Sequence, residues 1–182
     1  DGKPRVANGS TPQATEWLAG RGADDAGADA VLRYTSALHE GINAGLRAGT
    51  PLAGEDAAAH AEMQKVFAAA PPLDPPLNVR RGVRRKGADA AAFVEQMTRA
   101  ARTGEAVTHS GYVSTTGQKA ETQFDRAAPV ILHIKATRGI DVKAASYQPE
   151  ENEVLLNHGS KFRVLGVTQK GGKTHVRMEQ VS

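Results

Sequence analysis

Two glutamates near the C-terminal end of the chain have a spacing that suits proton transfer or charge stabilisation. Glu151 and Glu153 are separated by one residue and lead directly into the apolar residues 154–156. In an extended strand, residues i and i+2 project to the same side, so both carboxylates would reach one substrate. Their mutual repulsion is expected to raise the pKa of one of them, which would favour proton transfer at neutral pH.

Two further polar motifs precede these glutamates. Residues 78–83 contain two arginines followed by a glycine: Arg80, Arg81 and Gly82. Residues 111–116 end in three hydroxyl side chains: Ser114, Thr115 and Thr116. An arginine held on a strand binds phosphate through paired hydrogen bonds, but five basic residues in 80–86 are also typical of a solvated face or a nucleic-acid patch. Hydroxyls equally favour ordinary strand pairing.

Taken in order, the three motifs resemble the Arg / Ser-Thr-Ser / Glu-x-Glu signature of bacterial mono-ADP-ribosyltransferase toxins and effectors. Residues 151–164 are similar to that family's last catalytic segment almost throughout, and the resemblance extends over about residues 28–180. It implies NAD as co-substrate, no metal, and transfer of ADP-ribose to an arginine of a target protein with release of nicotinamide.

The resemblance also implies catalytic roles. Glu153 would accept a hydrogen bond from the nicotinamide ribose and stabilise the oxocarbenium ion that forms when nicotinamide leaves. Glu151 would take a proton from the attacking guanidinium, whose pKa lies above about 12. Ser114 would hold Glu153 in place.

NAD would be bound by residues of all three motifs. Arg81 is the expected ligand and Gly82 would allow the nicotinamide amide close to the backbone, with Ser114, Thr115 and Glu153 also in contact. Arg80 stands where the family usually has tyrosine, so the sequence leaves open whether Arg80 or Arg81 is the ligand.

The loops that flank these motifs add three candidates. Phe124 would stack on nicotinamide and Arg126 would bind a phosphate; an ordinary loop phenylalanine and a solvated arginine explain them equally well. Tyr147 stands where the family places an aromatic residue that contacts the protein substrate.

The periodicity predicts helices first and strands afterwards. Apolar residues at helical spacing predict helices from residue 28 to 48, 55 to 69 and 89 to 102. Strands are predicted at 78–83, 107–108, 112–116, 130–136, 139–142, 153–156, 161–168 and 173–180. This order is typical of an α+β fold. The resemblance implies two short, roughly perpendicular antiparallel sheets around an NAD cleft, with the N-terminal helices alongside.

Composition limits the remaining choices. The chain has 182 residues, a net charge of +3 and no cysteine, so it forms no disulfide and has no thiolate nucleophile. No apolar run approaches the roughly 20 residues that span a bilayer. We predict a linker or arm at 1–27 and a catalytic domain at 28–182. The chain starts at Asp1 without a signal pattern, which indicates a piece of a longer protein.

Partners and location follow from the resemblance. A target protein is expected, an immunity or activator protein is a further candidate, and nucleic acid is not favoured. The family implies secretion or delivery into a target cell. Three alternatives stay open: an NAD glycohydrolase, modification of nucleic acid, and an inactive binding module.

Overall fold

The computed structural model describes residues 24–117, 121–142 and 152–182. Its first helix, α1 (Asp25–Arg33), begins three residues before the predicted start because Asp24 caps it, accepting a bond of 2.8 Å from the Gly27 amide. A π-helical turn, Tyr34–Leu38, continues α1 into α2, His39–Ala48. Gly49, with φ of 67°, ends α2 at the predicted position.

Of the other three helices, the first precedes all the strands and the next two lie between strands. They are α3 (Gly54–Ala69), α4 (Gly87–Thr103) and α5 (Gln123–Ala127). Helix α5 lies where the sequence indicates only a polar loop. It forms because Thr122 and Asp125 cap its first turn reciprocally, each side chain accepting a hydrogen bond from the other residue's backbone amide. No helix in these described ranges has the length and apolarity needed to cross a bilayer.

In the described part of the chain, eight strands form one sheet with the order β2-β7-β8-β4-β1-β3-β6-β5. The strands are β1 (Leu77–Val83), β2 (Ala106–Thr108), β3 (Val113–Thr116), β4 (Val130–Ala136), β5 (Ile140–Asp141), β6 (Glu153–Leu156), β7 (Lys161–Lys170) and β8 (Lys173–Gln180). Neighbouring strands are antiparallel except β4 and β8, which are parallel.

The α+β class is confirmed, and the expected pair of sheets is replaced by one continuous sheet. The continuity depends on β1 and β3, which among the described residues pair at a single position, Arg80 with Thr116. The three strands β3, β6 and β5 are therefore joined to the other five by one bridge.

The core has a layer on each side of β6. One cluster packs helices α1, α2 and α3 against Tyr112, Ile140 and Leu155. The other packs α4 against the rest of the sheet and includes Val154 and Leu156. Alternate side chains of β6 thus enter opposite layers, as strand geometry requires, and all four of its residues are buried.

Candidate active site

A short hydrogen bond joins two of the predicted site residues. The Ser114 hydroxyl donates to Oε1 of Glu153 at 2.5 Å. Glu153 is only 7% exposed at the start of β6, whereas Ser114 lies exposed on β3. A hydroxyl-to-carboxylate bond of this length is charge-assisted and fixes the orientation of the acid. The structure therefore brings the serine and the second glutamate together.

Strand register explains this contact. On antiparallel β3 and β6, Ser114 is opposite Leu155 and Thr116 is opposite Glu153. Side chains at i and i+2 share a face, so Ser114 and Glu153 are diagonal neighbours on one side of the pair. A slip of one residue would turn Glu153 to the opposite side.

The backbone before Glu153 is not extended. Asn152 has φ of 46°, in the left-handed region that asparagine tolerates better than most residues. Because strand alternation holds only for extended backbone, it does not determine the side on which Glu151 lies, and the role of Glu151 stays a prediction. Glu151 itself and Tyr147 lie outside the described residues.

The Arg81 side chain reaches from β1 to β3. Its Nη1 donates to the Ser114 carbonyl at 2.9 Å. Arg81 and Glu153 also interact electrostatically, and Tyr34 and Arg47 act on the same guanidinium. Burial lowers the pKa of Arg81 and nearby Arg47 adds to this, while Tyr34 and Glu153 oppose it. An arginine still stays protonated at neutral pH.

The neighbourhood of Arg81 is electropositive. Burial is the main cause of the lowered pKa of His109, and the charges of three arginines lower it further: Arg81, Arg47 and Arg85. The bond between His109 Nδ1 and the Gly111 carbonyl, 2.9 Å long, acts in the opposite direction. Several guanidinium groups in one region attract anionic ligands.

The helical layer forms a wall that the sequence analysis did not assign to the site. The Asn43 side chain donates to the Tyr34 hydroxyl at 2.8 Å and accepts from the Tyr112 amide at 2.8 Å. Burial raises the pKa of Tyr34 to about 12. These contacts tie the π-helical turn and α2 to Tyr112, the residue just before β3, and so hold the helices close to Ser114.

Arg47 is a second residue near the site that the sequence motifs do not indicate. It lies four residues after Asn43 on α2, so both side chains are on neighbouring turns of one helix face. In the sequence, Asn43 and Arg47 stand beside the apolar stripe of the predicted helix. A helix face that is simply solvated has the same pattern, so the sequence does not distinguish the two.

The sequence model of the ADP-ribosyltransferase exoenzyme family matches residues 23–181, which is most of the chain. The chain belongs to this family. It is thus a mono-ADP-ribosyltransferase domain of the bacterial toxin and effector type, with NAD as co-substrate. The resemblance that the three motifs indicated is confirmed.

Two named relatives are much longer proteins. A Mycobacterium avium protein, Mav, for which NAD(+)–arginine ADP-ribosyltransferase activity is proposed, is 29% identical over 152 residues, which are 82% of this chain and 17% of Mav. Exoenzyme T of Pseudomonas aeruginosa is 26% identical over 159 residues, 87% of this chain and 33% of that protein. The chain therefore spans a third or less of either relative.

A solved structure supports the fold. Exoenzyme S of Pseudomonas aeruginosa, in complex with human 14-3-3 protein beta and bound to Carba-NAD, superposes with a TM-score of 0.72 at 22% identity. The match covers 93% of this chain and 82% of that one. At this identity the likeness establishes the shared fold.

The structure separates Thr115 from the other motif residues. Thr115 is 4% exposed, and its hydroxyl donates to the Val154 carbonyl at 2.6 Å. It thus lies on the opposite side of β3 from Ser114 and joins β3 to β6. This placement departs from the expectation that Thr115 contacts NAD.

The basic run of this ADP-ribosyltransferase domain does not form a common face. Arg80 pairs with Asp125 at 3.0 Å, Arg81 donates to Ser114, and Arg85 lies 5.0 Å from the centre of the Phe93 ring. Gly82 follows on β1 opposite Ile131. Successive side chains of a strand point to opposite faces, which explains why the two adjacent arginines have different partners.

The remaining candidates lie in or near α5. Phe124 and Arg126 are both residues of this helix, and Arg126 is exposed. A cavity of about 670 Å³ lies elsewhere, between α4 and the turn that joins β7 to β8. Across the described ranges, no group of three histidine or acidic side chains is arranged to hold a metal ion.

Proposed function

We propose that this domain transfers ADP-ribose from NAD to an arginine side chain of a target protein. The bond of 2.5 Å between Ser114 and the buried carboxylate of Glu153 carries the proposal. A buried carboxylate held in one orientation stabilises positive charge as it develops, without reorganising during the reaction.

Glu153 is the proposed catalytic carboxylate. The bond between C1′ of the ribose and the nicotinamide nitrogen breaks, and its electron pair leaves with nicotinamide. The ribose becomes an oxocarbenium ion, which the negative charge of Glu153 stabilises. A carboxylate oxygen of Glu153 also accepts a hydrogen bond from the 2′-hydroxyl. Ser114 orients the carboxylate for both tasks.

The arginines are the proposed ligands of the NAD diphosphate. Arg81 is favoured over Arg80 because its guanidinium donates to the Ser114 carbonyl and interacts electrostatically with Glu153, whereas Arg80 is paired with Asp125. Arg47 acts on the same region from α2. Gly82 gives the nicotinamide amide access to the backbone, and Arg126 adds a cation from α5.

Glu151 is the proposed base for arginine. A guanidinium must lose a proton to attack C1′. In the transfer step, an Nη atom of the acceptor arginine forms a bond to C1′ and its proton passes to Glu151. The Glu-x-Glu sequence and the activity proposed for Mav support this acceptor. Tyr147 is the proposed contact with the target protein.

We also propose that the domain acts inside a target cell, with residues 28–182 as its catalytic unit and 1–27 as an arm. The family match over 23–181 supports a catalytic unit that covers most of the chain. A structure in which the related Exoenzyme S is bound to a human protein supports a protein partner in another organism's cell. A separate activator or immunity protein is a further proposed partner.

The test is nicotinamide release from NAD by the purified domain, with and without agmatine as a simple guanidino acceptor. Release that rises with agmatine and disappears in Glu153→Ala supports arginine transfer. Glu151→Gln should lose the agmatine-dependent part and keep most of the hydrolysis. Release that ignores agmatine would instead identify an NAD glycohydrolase, and absence of NAD binding would refute the proposal.

A further inference from the structure

We infer that Arg80 and Lys173 are positioning residues that clamp α5 onto the sheet and thereby hold its NAD-binding side chains. The clamp consists of Arg80, Asp125 and Lys173. The inference rests on the proposed function, in which Arg126 of α5 binds NAD. It assigns a task to Arg80, the first arginine of the basic run, which the transfer chemistry does not use.

The first half of the clamp is an ion pair with little solvent around it. Arg80 Nη2 lies 3.0 Å from Oδ2 of Asp125, and the two side chains are 20% and 4% exposed. The same Oδ2 accepts a hydrogen bond of 2.9 Å from the Thr122 amide, and this bond caps the helix. Removing one charge from a buried pair leaves the other poorly compensated, so Arg80 and the first turn of α5 are coupled.

The second half is an ammonium group at the other end of the helix. Lys173 Nζ donates to the carbonyls of Asp125, Arg126 and Ala128 at 2.5, 2.8 and 2.9 Å. A lysine ammonium has three donors, and all three are used here. These carbonyls lie at the C-terminal end of α5, where a cation is favourable.

A helix as short as α5 requires such support. It has five residues, about one and a half turns, and isolated helices below about 12 residues are marginal in water. Arg80 on β1 holds its start, and Lys173 at the beginning of β8 holds its end. Arg81 is the next residue of β1. Two adjacent residues therefore have related roles: Arg81 is a proposed NAD ligand, and Arg80 positions α5, which carries the proposed ligand Arg126.

The test compares Arg80→Met and Lys173→Met, which remove the charges and keep similar chain length. Lys170→Met is the matched control, because Lys170 pairs with Lys173 in the same hairpin and is exposed. Arg80→Lys keeps the charge, so its effect should be smaller than that of Arg80→Met. The double variant Arg80→Met/Asp125→Asn should be no worse than Arg80→Met, since both changes break the same pair.

Two readouts are needed. Hydrogen exchange reports on α5 without any NAD chemistry, through the Arg126 and Ala128 amides, which donate to the carbonyls of Thr122 and Asp125. We expect both amides to exchange at least about tenfold faster in the two clamp variants. Steady-state nicotinamide release should show KM for NAD raised about five- to tenfold, because NAD must then order the helix on binding, with kcat within about twofold.

The outcomes separate the clamp from the proposed function. Unchanged exchange in both variants overturns the clamp, and faster exchange with unchanged KM overturns its role in NAD binding. A fall in kcat with constant KM would indicate general damage to the fold and would also overturn that role. If the unmodified domain does not bind NAD, the proposed function fails, while the exchange data still decide whether the clamp exists.

Discussion

Replacing Ser114 by alanine tests the central geometric claim, that a hydroxyl holds the carboxylate of Glu153. The substitution deletes one hydrogen bond of 2.5 Å to a buried acid. Hydrogen bonds to charged groups contribute about 1.5–3 kcal/mol, and a loss of that size in the transition state slows the reaction about 10- to 150-fold. We expect this fall in kcat for nicotinamide release, with a small change in KM.

Thr115→Val is the matched comparison one residue further along β3. It removes a buried hydroxyl that bonds to the Val154 carbonyl, so it should lower the free energy of unfolding by about 1–3 kcal/mol and leave kcat of the folded enzyme nearly unchanged. Ser114 is exposed, so its alanine variant should keep most of its stability. The reasoning is refuted if Ser114→Ala releases nicotinamide within twofold of the unmodified rate, or if Thr115→Val has the larger effect on kcat.

Two further predictions concern charge. Arg81→Lys keeps the charge but loses the planar fork that bonds to the Ser114 carbonyl and to phosphate, so KM for NAD should rise about tenfold; a larger rise for Arg80→Lys would move the NAD ligand to Arg80. Burial lowers the pKa of four histidines: His60, His109, His133 and His158. The unfolded chain therefore binds more protons than the folded domain below about pH 6.5. As the pH is lowered from there, the free energy of unfolding should decrease by about 1.4 kcal/mol per pH unit for each such proton. The decrease should stop once the pH is below the folded-state pKa values. Urea titrations at pH 8 and pH 5.5 measure this loss, and equal stability at the two values would contradict it.

Local patterns in the sequence predicted most of the elements and the residues on their faces. The strands Val130–Ala136, Glu153–Leu156 and Lys173–Gln180 have the predicted bounds, because alternation and flanking turns determine them locally. Helix α5 was missed since its stability comes from capping and from Arg80 and Lys173, which are 45 or more residues away in the chain. Propensity cannot indicate such distant partners.

The candidate site divides in the same way. Ser114 and Glu153 could be named from their motifs, but their contact depends on the β3–β6 register, which pairs residues 39 positions apart. Arg81 could also be named from its motif, but its contact with β3 is made by its side chain across strands that pair, among the described residues, only at Arg80 and Thr116. That contact joins residues 33 positions apart in the chain, and a local pattern cannot indicate such a partner. The geometry on which the proposed chemistry depends is therefore set by how the strands are arranged in the sheet rather than by any one motif.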